Sequence, residues 1–436
     1  MGKNVGGWTR RRFLKAACVG AGGAVGSVAF PYVITPAKAQ PVTITYLTFL
    51  NPREKGPRQE GVAAALKDFE AKYPNIKVDV RIIPWPQIDR QFILEAAAGK
   101  EADVARLNFE WLHKHVEANS ILPLDEFVRD WTPEQRKDWI FPWEATVFEG
   151  KKVAFPLEHR VQVLYYRRDM LEKAGRKLPT TWTELGEISK ALTSDSLAGF
   201  VIGLSKKDNA SNLTQWLIPA MWSLGGNLWD KAGRAAFNTD AGVRTFQFLA
   251  DLVSKYGMPK SAINMGSEDL TLGMKASTIA MTAMGSHRVG TARMGKGVGE
   301  NLQTAPLPCP DGTKPAAYVT SWVLGIGRNT KHKAEAWKFL EHRISADSQV
   351  QYARIGGEMP SRASAFKDPY FRSPEGAEMK TWADYIARAS RPYVLPAKFI
   401  ELGEILGVAV SRVIIDGVPV KKALQEAEAE YNRIAA

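Results

Sequence analysis

Between Val42 and Leu107 the chain switches between an extended and a helical pattern four times, and that alternation narrows the possible folds most. Residues 42–49 read Val-Thr-Ile-Thr-Tyr-Leu-Thr-Phe, a strand broken by Asn51-Pro52. Val62, Leu66 and Phe69 then share one helical face at i, i+4 and i+7, until Tyr73-Pro74-Asn75 stops the helix. Residues 77–82 alternate as a second strand. Residues 85–98 read as a helix capped by Gly99, and 102–107 as a third strand. Strands alternating with helices predict an α/β fold built on a parallel or mixed sheet.

The same pattern continues. After the turn at Glu149-Gly150-Lys151, short extended runs cover 153–156 and 161–167. A helix starts at Thr181 or Thr183, a strand covers 199–204, and an apolar helix covers 212–224 before Gly225-Gly226. Asp230 to Gly233 read as a hairpin tip. Further strands are expected near 277–283, 302–306 and 318–326. Helices are expected near 240–256, 333–343, 346–355, 376–389, 398–415 and 420–434.

The first 39 residues read as an export signal. Thr9-Arg10-Arg11-Arg12-Phe13-Leu14-Lys15 precedes a small, apolar run over 16–34, which ends at Ala37-Lys38-Ala39 before Gln40. The arginine pair followed by Phe-Leu-Lys resembles the twin-arginine export signal. This predicts a periplasmic protein, cleaved after Ala39, with 397 residues left. A retained anchor is disfavoured, because the run is short and rich in glycine for a bilayer span of about 20 residues. No later segment holds 18 consecutive apolar residues, so the mature chain is expected to be soluble. At 397 residues it exceeds one core, and two lobes or more are expected.

The formal charge of +12 includes six basic residues and no acidic residue of the signal, leaving +6 on the mature chain. No Lys/Arg run interleaved with aromatics tracks a nucleic-acid groove, so no nucleic-acid partner is expected. Cys18 falls in the signal, which leaves Cys309 without a disulfide partner.

Several tempting motifs lack their context. The glycines from Gly20 to Gly26 lie in the signal with no preceding strand, so they are no dinucleotide fingerprint. His113 and His115 do not share a helical face and have no third ligand nearby, so no metal and no cofactor is expected. There is no Gly-x-Ser-x-Gly nucleophile elbow.

From Gln40 onward the chain resembles the family-1 extracellular solute-binding proteins, the maltose-binding-protein superfamily. The resemblance rests on stretches in the family's order. The most specific block is Gly150-Lys151-Lys152-Val153-Ala154-Phe155-Pro156 followed by Leu164-Tyr165-Tyr166-Arg167-Arg168-Asp169. Ala102-Asp103-Val104, Ile121-Leu122-Pro123-Leu124-Asp125, Gly225-Gly226-Asn227, Gly273-Met274-Lys275 and Gly356-Gly357-Glu358-Met359-Pro360 accompany it. The resemblance implies a two-lobed periplasmic-binding-protein fold of type II. Each lobe would be a mixed sheet flanked by helices, with hinge strands between the lobes. One lobe would hold residues 40–157 and 307–358, the other 158–306 and 359–436. Crossings would fall at Pro156-Leu157-Glu158, at 304–308 and near Met359. Solute would bind between the lobes, and a monomer would deliver it to the permease subunits of an ATP-binding-cassette importer.

A sugar site needs carboxylates and amides for hydroxyls and aromatic rings for C–H faces. Asn108, Glu110 and Trp111 follow a strand end, where ligands bind in open α/β sheets; Glu110 is alternatively a charge on the next helix dipole. Glu158, His159 and Arg160 sit at the implied first crossing, either on solute or as an ion pair bracing the hinge. His287 stands where the family often carries a sugar-stacking Trp. Arg288 is placed either for a solute carboxylate or phosphate, or for a protein carboxylate such as Glu158. Trp222 and Trp322 complete the candidate set. Arg160 and Arg288 together admit an anionic solute, and a periplasmic enzyme on sugars is the competing class. The leading expectation is a receptor for a sugar or polyol, without catalytic activity.

Overall fold

The computed structural model describes residues 41–206 and 209–436. The expected export segment lies outside the described residues. Strands β1 (Val42–Thr48), β2 (Ile76–Ile82) and β3 (Val104–Asn108) pair in parallel with β1 in the middle. Helices Pro57–Lys72 and Ile88–Ala97 connect them, as the alternation predicts. The second helix begins at Ile88 rather than Trp85. Pro86 disfavours helical geometry at the residue before it, which leaves Trp85 on a loop.

A two-residue ladder joins β4 (Val147–Phe148) to β5 (Lys151–Lys152). The runs expected at 153–156 and 161–167 are one continuous strand, β6 (Phe155–Arg167). Pro156 is tolerated inside it because the facing strand shifts register between Trp322 and Val323, at the position opposite. The remaining strands are β7 (Ala198–Val201), β8 (Ile279–Gly285), β9 (Leu302–Ala305), β10 (Val319–Ile326) and β11 (Met359–Pro360).

β6 organises the sheet. Its first part, up to Val161, pairs with β10, which in turn pairs with β3. From Gln162 onward it pairs with β8 and β9, and β7 lies parallel on β8. The order β2-β1-β3-β10-β6-β8-β7 is therefore two half-sheets joined through one strand. β11 adds to β6 at Glu158 and His159, close to the handover. From residue 240 onward, each expected helix is found within two residues of its predicted ends, from Asp240–Ser254 to Val420–Ala435. No described helix is long and apolar enough to cross a membrane.

Much of the aromatic content is packing. Trp131, Trp139, Trp143 and Trp337 surround Phe155 beneath the first half-sheet. Trp182 stacks on Phe248 at 4.3 Å in the second half. Lys152 is buried in the first cluster: its Nζ lies 3.9 Å from the Trp143 ring centre and donates to the Trp143 carbonyl at 2.9 Å. Burial lowers its pKa to about 7. The unfolded chain then keeps a proton on this lysine, between pH 7 and about 10, that the folded chain has released. Stability attributable to Lys152 should rise with pH across that window, by up to roughly 1.4 kcal/mol per unit. Urea unfolding at pH 7 and pH 9.5 checks this, because Lys152→Met should show a smaller rise than the parent. Equal rises in the two proteins would contradict the assignment.

Candidate functional site

Strand ends converge on a cavity of about 280 Å³. β1 leads into Phe49 and Leu50, β2 is followed by Pro84 and Trp85, and β3 ends in Asn108. β8 leads into His287 and Arg288 from the second half-sheet. This is the carboxyl-end location expected of ligands in open α/β sheets. Helix Pro57–Lys72 adds Arg58 and Gln59 from its first turn. Helix Ser211–Ser223 adds Ser211 and Gln215, entering through Asn209 and Ala210, both non-glycine residues at positive φ. Such strained backbone persists where surrounding structure holds it, often at ligand sites. β6 contributes Arg160, and β10 contributes Trp322 as an aromatic wall.

Buried charge surrounds this space. Arg106 on β3 reaches over β10 to Glu158 on β6 and donates to the Tyr352 hydroxyl at 3.0 Å. Gly61 makes room for that tyrosine: a Cβ there would lie 2.7 Å from the Tyr352 ring. Glu358 lies 3.8 Å from Arg106 and 2.5 Å from Arg58. Arg288 pairs with Glu268 at 2.9 Å and donates to Thr271 at 3.3 Å. Burial, reinforced by Arg58 and Arg160, pushes the His287 pKa well below its ordinary value, so its imidazole is neutral. Glu110 accepts from the Tyr318 hydroxyl at 3.1 Å and from Thr320 at 3.4 Å, and burial raises its pKa.

Of the ten residues selected from sequence, Asn108, Arg160, His287, Arg288 and Trp322 line this cavity together. Glu110 lies behind it in the Tyr318–Thr320 network, in a short 3-10 turn (Phe109–Trp111), and is buried rather than exposed at a helix start. Glu158 carries the ion pair with Arg106, so the pairing considered between Arg288 and Glu158 does not form. His159 projects from the opposite face of β6 toward Phe141, 5.5 Å between ring centres. Burial, with Arg160 adding to it, lowers its pKa to about 3. Trp111 is buried with Lys114 5.7 Å from its ring. Trp222 lines a separate cavity of about 1080 Å³ with Trp229, Arg391 and Tyr393.

Phe49, Arg58, Gln59, Trp85, Ser211, Gln215 and Glu268 were not selected, yet they also line the smaller cavity. Phe49 and Trp85 follow strand ends, so the rule that picked Asn108 would have found both. Among the described residues no group of three or more His, Cys, Asp or Glu side chains is placed to hold a metal, and Cys309 is a buried free thiol.

Known proteins share this architecture. The solute-binding protein of Thermotoga lettingae bound with α-D-tagatose superposes with a TM-score of 0.78 at 22% identity, over 91% of this chain and all of that one. The Agrobacterium radiobacter solute-binding protein in complex with ribitol gives 0.76 at 21% identity, over 91% and 99%. These place the fold as the two-lobed α/β fold of such proteins. The mannitol-binding protein of Pseudomonas aeruginosa is 24% identical over 349 residues, 77% of this chain and 78% of the relative. An ABC transporter extracellular-binding protein of Pyrococcus horikoshii is 25% identical over 327 residues, 72% and 71%. With its half-sheets joined through β6, a cavity at their strand ends, and the family model matching residues 55–350, the chain belongs to the bacterial extracellular solute-binding protein family.

Proposed function

We propose that this protein is the extracytoplasmic receptor of an ATP-binding-cassette importer and captures a sugar- or polyol-sized solute in the 280 Å³ cavity. The observation that carries this reading is the cavity's composition. Both half-sheets contribute walls, so a solute there touches both. Amides, hydroxyls and a neutral imidazole line it beside the Trp85 and Trp322 rings, which suits a molecule with hydroxyls and apolar C–H faces. The protein is a monomer cleaved after Ala39 following twin-arginine export. Its lobes are residues 40–157 with 307–358 and residues 158–306 with 359–436. Solute binding closes them about the hinge, and permease subunits read the closed form. Moving the open-to-closed ratio from 99:1 to 1:99 requires about 5.5 kcal/mol of preference for the closed state.

The test is a melting-temperature panel. Refolded protein, stripped of carried-over solute, is heated with sugars, polyols and sugar acids. A true solute at 100 times its dissociation constant adds about 2.7 kcal/mol, a rise of a few degrees. A sharp hit in one class is the expected result. A flat panel with verified refolding would overturn the assignment to carbohydrate-like solutes.

A further inference from the structure

Three of the four arginines around the cavity already have carboxylate partners. Arg58 holds Glu358, Arg106 holds Glu158, and Arg288 holds Glu268. Arg160 is the exception. It is only 8% exposed, it lines the cavity, and its Nε makes no hydrogen bond. Among the described residues no carboxylate lies within ion-pair distance of it. Its guanidinium sits 5.4 Å from the centre of the Trp322 ring, which fixes the fork without neutralising it. Glu158, Glu358 and Glu110 all act on its charge, but Glu158 pairs with Arg106, Glu358 with Arg58, and Glu110 accepts from the Tyr318 and Thr320 hydroxyls. A buried charge without a partner is costly, and a fork of planar donors matches a carboxylate in two parallel hydrogen bonds.

We propose that the solute is a monosaccharide-sized acid, its carboxylate bound by Arg160 and its hydroxyls by cavity side chains such as Asn108, Gln215 and His287. The inference rests on the reading of the protein as a solute receptor and narrows its substrate class. One unpaired guanidinium suits one negative charge. A phosphate dianion would need a second free cation, and Arg58 and Arg288 are both engaged. The cavity volume, about 280 Å³, lies at the small end of ligand sites and fits one sugar ring rather than a chain of them.

Isothermal titration of the solute-stripped protein at pH 7.5 tests this with matched probes. These are glucuronate against glucose, galacturonate against galactose, gluconate against sorbitol, and glucose 6-phosphate as the phosphate arm. At least one acid should bind about 30- to 100-fold more tightly than its neutral partner, as a charge-assisted hydrogen-bonded pair allows. Arg160→Gln should reduce that ratio to about 3-fold or less. Arg160→Lys, which keeps the charge but loses the fork, should fall between them. A melt of each variant without solute verifies folding, and the comparison of acid with neutral probe in the parent protein needs no variant. Tighter binding of a neutral probe or of the phosphate would overturn the acid assignment and leave the receptor reading standing. An acid preference that survives in folded Arg160→Gln would overturn the role of Arg160. No binding by any probe would overturn the assignment to a monosaccharide-sized acid, while the receptor reading falls only if the broad melting-temperature panel is flat as well.

Discussion

Arg106→Ala lowers the stability of the folded protein by about 3–5 kcal/mol, the range for removing one member of a buried ion pair. Arg106 is fully buried, and its guanidinium serves Glu158, Glu358 and the Tyr352 hydroxyl at once. Through these partners it ties β3 to β6, to the helix Ala346–Gly356 and to the segment before β11. Alanine strands Glu158 without its cation, whereas Glu358 keeps Arg58. The melting temperature should fall by roughly 4–6 °C for a chain of this size. Arg106→Met combined with Glu158→Leu removes both charges and should recover much of the loss, since the cost comes from the stranded carboxylate. Urea midpoints of the single and double variants check this. A single variant within about 1 kcal/mol of the parent would show that the pair is not structural.

Trp322→Ala should damage both folding and binding. The ring is 2% exposed, packs on Phe49 at 4.5 Å, and lies 5.4 Å and 5.7 Å from the Arg160 and Arg106 guanidiniums. Truncating a buried Trp costs about 3–5 kcal/mol of stability. Its cavity face is also lost, and an aromatic wall of this kind is worth about 2–3 kcal/mol to a ligand, or roughly 30- to 150-fold in affinity. Trp322→Phe keeps a flat face and should retain most of the stability while giving up part of the affinity. Titration well below each variant's melting temperature separates the two effects. Parent-like affinity in folded Trp322→Ala would move the solute away from this wall.

The strand–helix alternation was readable because each element carries its own period, and the late amphipathic helices were found almost to the residue for the same reason. Asn108 is legible from its place at a strand end and His287 from its place in the family pattern, and both line the cavity. Trp85 was missed because its surroundings look helical until Pro86 is given its weight. Arg106 gave no local signal. It sits in a strand where its side chain looks like one member of an alternating pattern, and its partners Glu158 and Glu358 are set by the crossing of β6 and β11. Trp222 lies on the same helix as a cavity residue, yet far from it. Ser211 at the start of that helix meets the cavity, and 11 residues later the chain has risen about 16 Å, into the other cavity. His159 and Arg160 are adjacent in sequence, yet the two-residue period of β6 sends them to opposite faces.

The most direct test of the central claim is calorimetric titration of the solute-free protein with the solute class that raises its melting temperature, with mass spectrometry of the mixture after prolonged incubation. The predicted result is saturation at one solute per chain, weakened in Trp322→Ala, with the solute recovered chemically unchanged. Steady conversion of the solute, or saturable binding indifferent to Trp322 and Arg160, would contradict a receptor that holds its cargo in this cavity.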